Sequence, residues 1–332
     1  MSDFRVESTR GDLVESVHRV SAAVVDASGR LIASAGDPSL VTFWRSAAKP
    51  FQTIPLLDDG AAEAFGLGSE ELALACASHS SERMHLDVAS RFLAKIGASE
   101  DDLACGPHPP LGAAVAEMVI RTGHALTPRW SNCSGKHAAM LALARHRGWD
   151  ARGYERAGHP VQERMVEEVE RWTDVSRERM QFGVDGCTAL CFGLPLTGMA
   201  LSYARFAASA EPAAVALRQA MTAHPMLVAG TGRFCTEIMA AWPGGIIAKV
   251  GAEGVYSAAL LEERIGISLK VEDGDMRSAP VALMGVLRAL AASGPGAAAL
   301  ETLARREELP TRNTRGEITG VLRHTGALRF FA

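Results

Sequence analysis

The chain has 332 residues, of which 48% are hydrophobic, and its formal net charge is −4. Such a chain can bury a sizeable core, and the absence of a basic run or a basic, aromatic-rich patch argues against nucleic acid as a partner. The first residues lack the apolar stretch of an export signal, and no apolar run reaches the roughly 18 residues of a membrane span, so we expect neither export nor membrane insertion. Six cysteines are too few for a disulfide framework and favour a reducing cytoplasm.

Strands are predicted near both ends of the chain, with helices between them. Alternating apolar residues predict a hairpin over 18–36, and segments rich in Ile and Val predict strands at 245–261 and 265–271. Apolar or alanine residues recur at helical spacing in four segments, 86–96, 161–172, 213–223 and 280–292. This order predicts an α+β fold with one antiparallel sheet built from both chain ends. We expect a single catalytic domain over 1–332, with a sheet lobe and a helical lobe at about 50–240.

A serine and a lysine three residues apart, Ser46 and Lys49, form the first candidate catalytic motif. A strand-like segment at 41–44 precedes them, and Pro50 fits the first turn of a helix, so a helix is predicted to begin near Ser46. Unpaired N–H groups at a helix start suit a developing oxyanion, and a neutral lysine can take the proton of a serine hydroxyl. The alternative is that Ser46 is an N-cap and Lys49 a solvated charge.

Two later segments, 78–80 and 249–251, extend this motif. With Ser46 and Lys49 they follow the order of the S-x-x-K, S-x-N and K-T-G motifs of active-site serine β-lactamases and penicillin-binding proteins. Ser80 replaces the asparagine of that pattern and Val250 replaces its threonine, which argues against β-lactam chemistry. The pattern therefore predicts an acyl-transfer enzyme, with Lys249 on a sheet edge.

Candidate metal ligands occur in two short segments, 131–137 and 185–187. Thiolate and imidazole groups are the ligands that zinc prefers, so Cys133, His137 and Cys187 are candidates. The spacing is not that of a zinc finger, and buried free thiols are an equally good interpretation. Ser134 could instead be the N-cap of a helix through 140–143.

In chain order, the sequence also contains the segments RSAAKPFQ, CASHSSE, SNCSGKHAAML, HPVQ, DGC, GTGRF and AKVGAEGVY. Together they resemble the Rhizobium-type L-asparaginases, the class 3 asparaginase II family, from about residue 15 to the C-terminus. The resemblance implies a fold similar to serine β-lactamases and glutaminases. It also implies a homodimer that hydrolyses L-asparagine to aspartate and ammonia.

The resemblance further implies roles for individual residues. Ser46 is implied to pair with Lys49, and Ser78 with Lys249, as two serine–lysine tandems. The residues that the sequence offers for contact with the substrate are Arg45, His137 and Asp185.

A zinc ion is also implied, bound by Cys133, Lys136 and Cys187. Lysine must be neutral to bind a metal, so its pKa would have to be lowered by burial and by the metal. With three protein ligands, one position would remain for water or substrate.

The chain departs from the family pattern at three positions beside these motifs. Ser81 and Thr188 stand where glycine is usual, and Ser131 replaces an asparagine. The added side chains are expected to narrow the pocket, which favours asparagine over the longer glutamine. Three alternatives stay open, namely a glutaminase of the same mechanism, a zinc-hydroxide amidohydrolase and a non-catalytic ligand-binding module.

Overall fold

The computed structural model describes residues 3–291 and 294–331. These residues combine helices with an antiparallel sheet, which confirms the predicted α+β class. The strands are β1 (Arg5–Arg10), β2 (Leu13–Asp26), β3 (Leu31–Ala35), β4 (Val41–Phe43), β5 (Gln181–Val184), β6 (Leu190–Pro195), β7 (Ile246–Val250), β8 (Val255–Leu260), β9 (Ile265–Val271), β10 (Glu308–Arg312), β11 (Ile318–Thr325) and β12 (Arg329–Phe330).

The helices differ in length, and among the described residues none is both long and apolar enough to cross a membrane. The α-helices are α1 (Lys49–Asp58), α2 (Ala61–Ala64), α3 (Ser69–Ala75), α4 (Arg83–Lys95), α5 (Ala113–Thr122), α6 (Ser134–His146), α7 (Pro160–Thr173), α8 (Leu196–Ala208), α9 (Pro212–Ala223), α10 (Pro225–Val228), α11 (Phe234–Ala241), α12 (Ser278–Leu290) and α13 (Gly294–Thr302). Short 3-10 helices are Arg45–Ala48, Glu100–Asp102, Pro128–Trp130, Arg177–Arg179 and Ala304–Arg306.

The chain divides into two compact units. The first unit comprises Met1–Ala47, Leu194–Ala208 and Glu237–Ala332, and the second comprises Ala48–Gly193 and Ser209–Thr236. The first unit contains the strands from both chain ends, and the second contains most of the helices. That the two form one catalytic domain over 1–332 stays a prediction.

The first unit is built around an antiparallel sheet. Its strands lie in the order β10-β11-β1-β2-β9-β8-β7, and β3 pairs with β2 and β12. The helix α8 packs against β2, β8 and β9, and α12 packs against β1, β8, β9 and β11. The second half of β2 is therefore buried on both faces, whereas most residues of its first half are exposed. The edge strand β7 contains Lys249, as predicted.

The second unit is packed around α6. Every residue of α6 from Ser134 to Ala144 is buried, and α1, α3, α4 and α7 pack against it. A helix with apolar or small residues on all sides suits such a central position. Cys133 and Lys136 of the predicted site lie at the start of α6, and Ser78 follows the C-terminal end of α3.

Most predicted elements are present, with shifted boundaries. The predicted hairpin consists of β2 and β3, and the segment 245–261 is itself a hairpin, β7 and β8. The predicted helices correspond to α4, α7, α9 and α12, although residue 292, at the end of one predicted range, lies outside the described residues. The strand β1 was not predicted, because its polar residues Glu7, Ser8 and Thr9 are buried only by pairing with β2 and β11.

Candidate active site

Lys49 and Ser78 meet inside the second unit. Lys49 begins α1, and Ser78 follows the C-terminal end of α3. The Lys49 Nζ lies 3.1 Å from the Ser78 Oγ, and the lysine has no exposed surface. The alternative that Lys49 is a solvated charge is therefore wrong.

Two backbone carbonyls complete the surroundings of the Lys49 amine. Lys49 Nζ donates to Ala77 O and, at 3.3 Å, to Asn132 O. A neutral amine has two donors and one lone pair, so it can donate to both carbonyls and accept the Ser78 hydroxyl proton. In the protonated form all three groups would be acceptors. The three contacts thus suit a lysine that exchanges a proton with a serine.

Ser46 lies in the 3-10 helix Arg45–Ala48, which runs directly into α1. The N-cap of α1 is Ala48, so the alternative that Ser46 is a plain N-cap is also wrong. The preceding residue, Arg45, has a backbone φ of 55°, in the left-handed region that non-glycine residues avoid. Such strain amounts to about 1–3 kcal/mol and is concentrated at functional sites. The catalytic pairing of Ser46 with Lys49 stays a prediction.

Within the first unit, the segment before Ser46 is attached to the sheet that contains Lys249. Trp44 Nε1 donates to Ser257 Oγ at 3.2 Å, and Ser257 lies directly opposite Lys249 in the β7–β8 pair. Ala47 O accepts a hydrogen bond from Tyr203 OH at 2.8 Å. Lys249 is fully buried, and its Nζ donates to Val250 O at 2.9 Å. Lys249 and Ser78 belong to different units, and their pairing stays a prediction.

The implied zinc ligands come together in the second unit. Lys136 Nζ donates to Cys187 Sγ at 3.0 Å, and Cys133 Sγ is 3.1 Å from Asn132 Oδ1. Hydrogen bonding with Cys133, and then the charge of Lys136, lower the pKa of Cys187 to about 5. Cys187 is therefore a thiolate at neutral pH.

Zinc binding would require a lowered pKa for Lys136, but the pKa of this lysine is raised. Burial opposes the charged form, but Cys187, Cys133 and Asp185 together raise the pKa of Lys136 above its usual range. The protein side chains alone thus keep this lysine protonated, and a bound zinc ion would have to displace that proton. In residues 3–291 and 294–331, no three His, Cys, Asp or Glu side chains form a metal-binding group.

His137 is adjacent to this cluster and is fully buried. Tyr154 OH accepts a hydrogen bond from Ala104 N–H at 2.9 Å and lies 2.7 Å from His137 Nδ1, with which it forms a second hydrogen bond. Burial, followed by the charge of Lys136, lowers the pKa of His137 to about 3. Its other nitrogen, Nε2, has no hydrogen-bond partner among the residues described. Asp185 accepts a hydrogen bond from Gly186 N–H at 2.9 Å.

The segment that contains Ser78 is attached to α6 through His79. Ser81 N–H donates to His79 Nδ1 at 3.2 Å, so His79 Nε2 carries the proton and lies 2.9 Å from Ser134 Oγ. Ser134 is the first residue of α6, whose N-cap is Cys133, so the interpretation of Ser134 as N-cap is wrong. Burial, chiefly, lowers the pKa of His79 well below its usual range. His79 is thus a neutral, fixed link between two parts of the site.

The structure brings together Lys49 with Ser78, and Cys133 and Lys136 with Cys187, within the second unit. Sequence reasoning did not identify the carbonyl acceptors Ala77 and Asn132 or the hydroxyl of Tyr154. No sequence signal reveals such groups, because any residue has a carbonyl and because Tyr154 meets His137 only through folding.

The fold and the site thus describe an α+β protein with a buried lysine–serine pair and a cluster of two cysteines and a lysine. A model of the L-asparaginase II family matches residues 6–324, so the chain belongs to this family. The predicted resemblance is confirmed, and membership supports an amidohydrolase activity.

Other comparisons are more distant. No curated protein matches the chain. A penicillin-binding protein homologue from Pyrococcus abyssi, described as octameric, is 10% identical over 94% of this chain and 86% of its own, with a TM-score of 0.45. A candidate beta-lactamase from Bacteroides dorei DSM 17855 is 11% identical over 82% of this chain and 87% of its own, with a TM-score of 0.37. Likeness at this level assigns no function to the chain.

Proposed function

We propose that the protein is an L-asparaginase that uses a serine–lysine mechanism. The observation that carries the proposal is the buried hydrogen bond of 3.1 Å between Lys49 and Ser78. Family membership supports the amide-hydrolysing chemistry, and the S-x-x-K spacing supports Ser46 as the nucleophile.

In the proposed reaction, Ser46 Oγ attacks the carbon of the side-chain amide while Lys49 takes the hydroxyl proton. Ser78 and Lys249 pass a proton to the amide nitrogen, the C–N bond breaks, and ammonia leaves. General-acid assistance of this kind is worth about 10²–10⁴ in rate. Water then hydrolyses the acyl-enzyme and releases aspartate, and backbone N–H groups at Ser46 and on the Lys249 strand would bind the oxyanion.

We further propose that Cys133, Lys136 and Cys187 hold a zinc ion. The donor set fits once the Lys136 proton has been displaced, because zinc accepts thiolates and neutral amines and because the sulfur of Cys187 and the nitrogen of Lys136 are 3.0 Å apart. When bound, zinc would supply a Lewis acid for a substrate oxygen. Asp185 and His137 would stabilise this site and contact the substrate with Arg45.

The assembly and location of the enzyme are also proposals. Family resemblance supports a homodimer, and the composition supports a cytoplasmic protein. Sedimentation velocity at micromolar concentration should give a single species of twice the chain mass, and a monomer would contradict the dimer.

The experiment measures ammonia release from L-asparagine, L-glutamine and simple amides. Ser46→Ala and Lys49→Met should each abolish turnover while the circular dichroism spectrum stays that of the wild type. When two residues act as a unit, replacing either one alone removes nearly all of the activity. The double variant should therefore be little worse than either single variant.

Three outcomes would contradict the proposal in different ways. Activity that survives in Ser46→Ala and is lost on chelation of the metal would indicate a zinc-hydroxide enzyme. We expect kcat/KM for asparagine to exceed that for glutamine by a factor in the upper part of the range of about 10–200. Comparable kcat/KM values for the two amides would instead indicate a glutaminase. No ammonia from any amide would indicate a ligand-binding module.

A further inference from the structure

A loop at 230–233 lies against the segment that contains Ser78 and Ser80, within the second unit. Ser78 N–H donates to Val228 O at 3.0 Å, just before the loop. Thr231 N–H and Oγ1 donate to the two carboxylate oxygens of Glu82 at 2.7 and 2.9 Å. The loop therefore has a fixed position relative to the serine that contacts Lys49.

Gly230 allows this close approach. Its φ is +126°, and a Cβ atom there would be 2.6 Å from Glu82 Oε1 and 2.7 Å from Ser80 Oγ. Any other residue would have to displace the Glu82 and Ser80 side chains and would strain a backbone conformation that favours glycine. The side chain two residues beyond Thr231 is consequently held close to Ser80.

That side chain is Arg233, which is half-buried. Its Nη1 donates to Ser80 Oγ at 3.4 Å, and it forms no ion pair with any residue in the described ranges. A partly desolvated guanidinium normally has a carboxylate or phosphate partner. Glu82 accepts hydrogen bonds from Thr231 and forms no ion pair with Arg233 among the described residues.

The neighbours of Arg233 do not neutralise its charge either. His79 and His85 stack with ring centroids 5.2 Å apart, and burial lowers the pKa of both. Both therefore stay uncharged at neutral pH. The charge of Arg233 itself contributes to lowering the pKa of His79.

We propose that Arg233 binds the α-carboxylate of the amino-acid substrate and so determines specificity for it. The proposal rests on the proposed asparaginase function and adds the residue that recognises the amino-acid end of the substrate. Ser78 and Lys49 act on the side-chain amide, and Arg233, at Ser80, receives the carboxylate as a two-pronged donor. A cation held by a rigid loop also sets the distance between the carboxylate and the amide.

The test compares L-asparagine with 3-aminopropanamide, which is asparagine without its α-carboxylate. Arg233→Gln should raise the KM for asparagine roughly 10- to 100-fold, the range for a hydrogen bond to a charged group, with a smaller change in kcat. The kcat/KM for 3-aminopropanamide should change by less than about threefold, and Arg233→Lys should restore part of the loss. Arg121→Gln, an exposed arginine on α5, is the matched control and should resemble the wild type.

Product inhibition gives a second measurement that does not require turnover of the truncated amide. The inhibition constant of L-aspartate should weaken in Arg233→Gln, whereas that of 3-aminopropanoate should not. Equal losses for ligands with and without the carboxylate, or no loss for either, would overturn the role of Arg233. A wild type that releases no ammonia from asparagine would instead overturn the proposed function on which this role rests.

Discussion

Two non-glycine residues beside the candidate site have left-handed backbone conformations. They are Ser81, with φ 58°, and Thr188, with φ 75°, the two positions where the resembled family usually has glycine. Ser81 Oγ donates to Trp130 O at 2.7 Å in a buried position, whereas Thr188 Oγ1 donates to Ala104 O at 3.0 Å and is exposed. Both residues have the same kind of backbone strain, but the buried hydrogen bond of Ser81 offsets more of it than the exposed hydrogen bond of Thr188 does.

Replacing each residue by glycine should change stability in opposite directions. Thr188→Gly relieves about 1–2 kcal/mol of left-handed strain and loses an exposed hydrogen bond, so the free energy of unfolding should rise by about 0.5–1 kcal/mol. Ser81→Gly leaves a buried carbonyl without its donor, so the free energy of unfolding should fall by about 1 kcal/mol. Urea unfolding measures the free energy of unfolding of both variants. Changes of the same sign in Thr188→Gly and Ser81→Gly would contradict this account.

At the scale of elements, α3 leads directly to Ser78, and Glu71 stabilises its first turn. Glu71 accepts a hydrogen bond from Gly68 N–H at 2.8 Å and forms ion pairs with Arg91 and Lys95 at 2.9 and 3.0 Å. Burial opposes ionisation, but these partners together lower the pKa of Glu71 below its usual 4.5. The carboxylate thus links α3 to α4.

Glu71 should contribute to the acid sensitivity of the fold. Because its pKa is lower in the folded state, its stabilisation is present above pH 4.5 and is lost as pH falls through the folded-state pKa. Glu71→Gln should lower stability at neutral pH and make the decrease below pH 4.5 shallower. Urea unfolding from pH 7 to 3 would show this, and profiles parallel to the wild type would contradict it.

The packing of α6 on α3 depends on the glycine in the first turn of α6. A Cβ atom at Gly135 would lie 2.2 Å from Leu74 O, which is backbone and has little freedom to move. This close packing sets the position of Lys136 and His137 relative to the Ser78 segment.

Gly135→Ala should therefore destabilise the protein by about 1–3 kcal/mol or more, as overpacking does in tightly packed interiors. Gly186→Ala is the control, because no atom lies within 4 Å of its added Cβ. Its midpoint in urea should stay close to that of the wild type. A wild-type midpoint for Gly135→Ala would show that the two helices can separate at little cost.

At the scale of the whole molecule, the proposed zinc site should link metal binding to folding. A ligand that binds only the folded state stabilises it by about 2.7 kcal/mol at 100 times its dissociation constant. The thermal unfolding midpoint of the wild type should therefore fall by several degrees on treatment with a strong chelator and recover when zinc is added.

Variants separate this effect from general loss of stability. Cys133→Ser and Cys187→Ser should contain less zinc by elemental analysis and should not respond to the chelator, whereas His137→Ala should keep its zinc. Cys235→Ser, a buried cysteine outside the cluster, is the control and should respond as the wild type does. Zinc that is lost with His137 and kept in Lys136→Met would mean that the histidine is the ligand.

The sequence by itself determined the α+β class, the helices α4, α7, α9 and α12, and the family. Those features depend on local periodicity and on short motifs, and both are present in the chain before it folds. The sequence also indicated which serines, lysines and cysteines belong to the proposed site, because S-x-x-K and the cysteine segments have recognisable spacing.

Only the tertiary structure decided the surroundings of those residues. The burial of Lys49, its carbonyl partners at Ala77 and Asn132, and the contact of Arg233 with Ser80 arise from segments far apart in the chain. The protonation of Lys136 likewise depends on Cys187, a residue of another segment. Hydrogen bonding and charge act over a few ångströms in space, whereas sequence patterns report only neighbours along the chain.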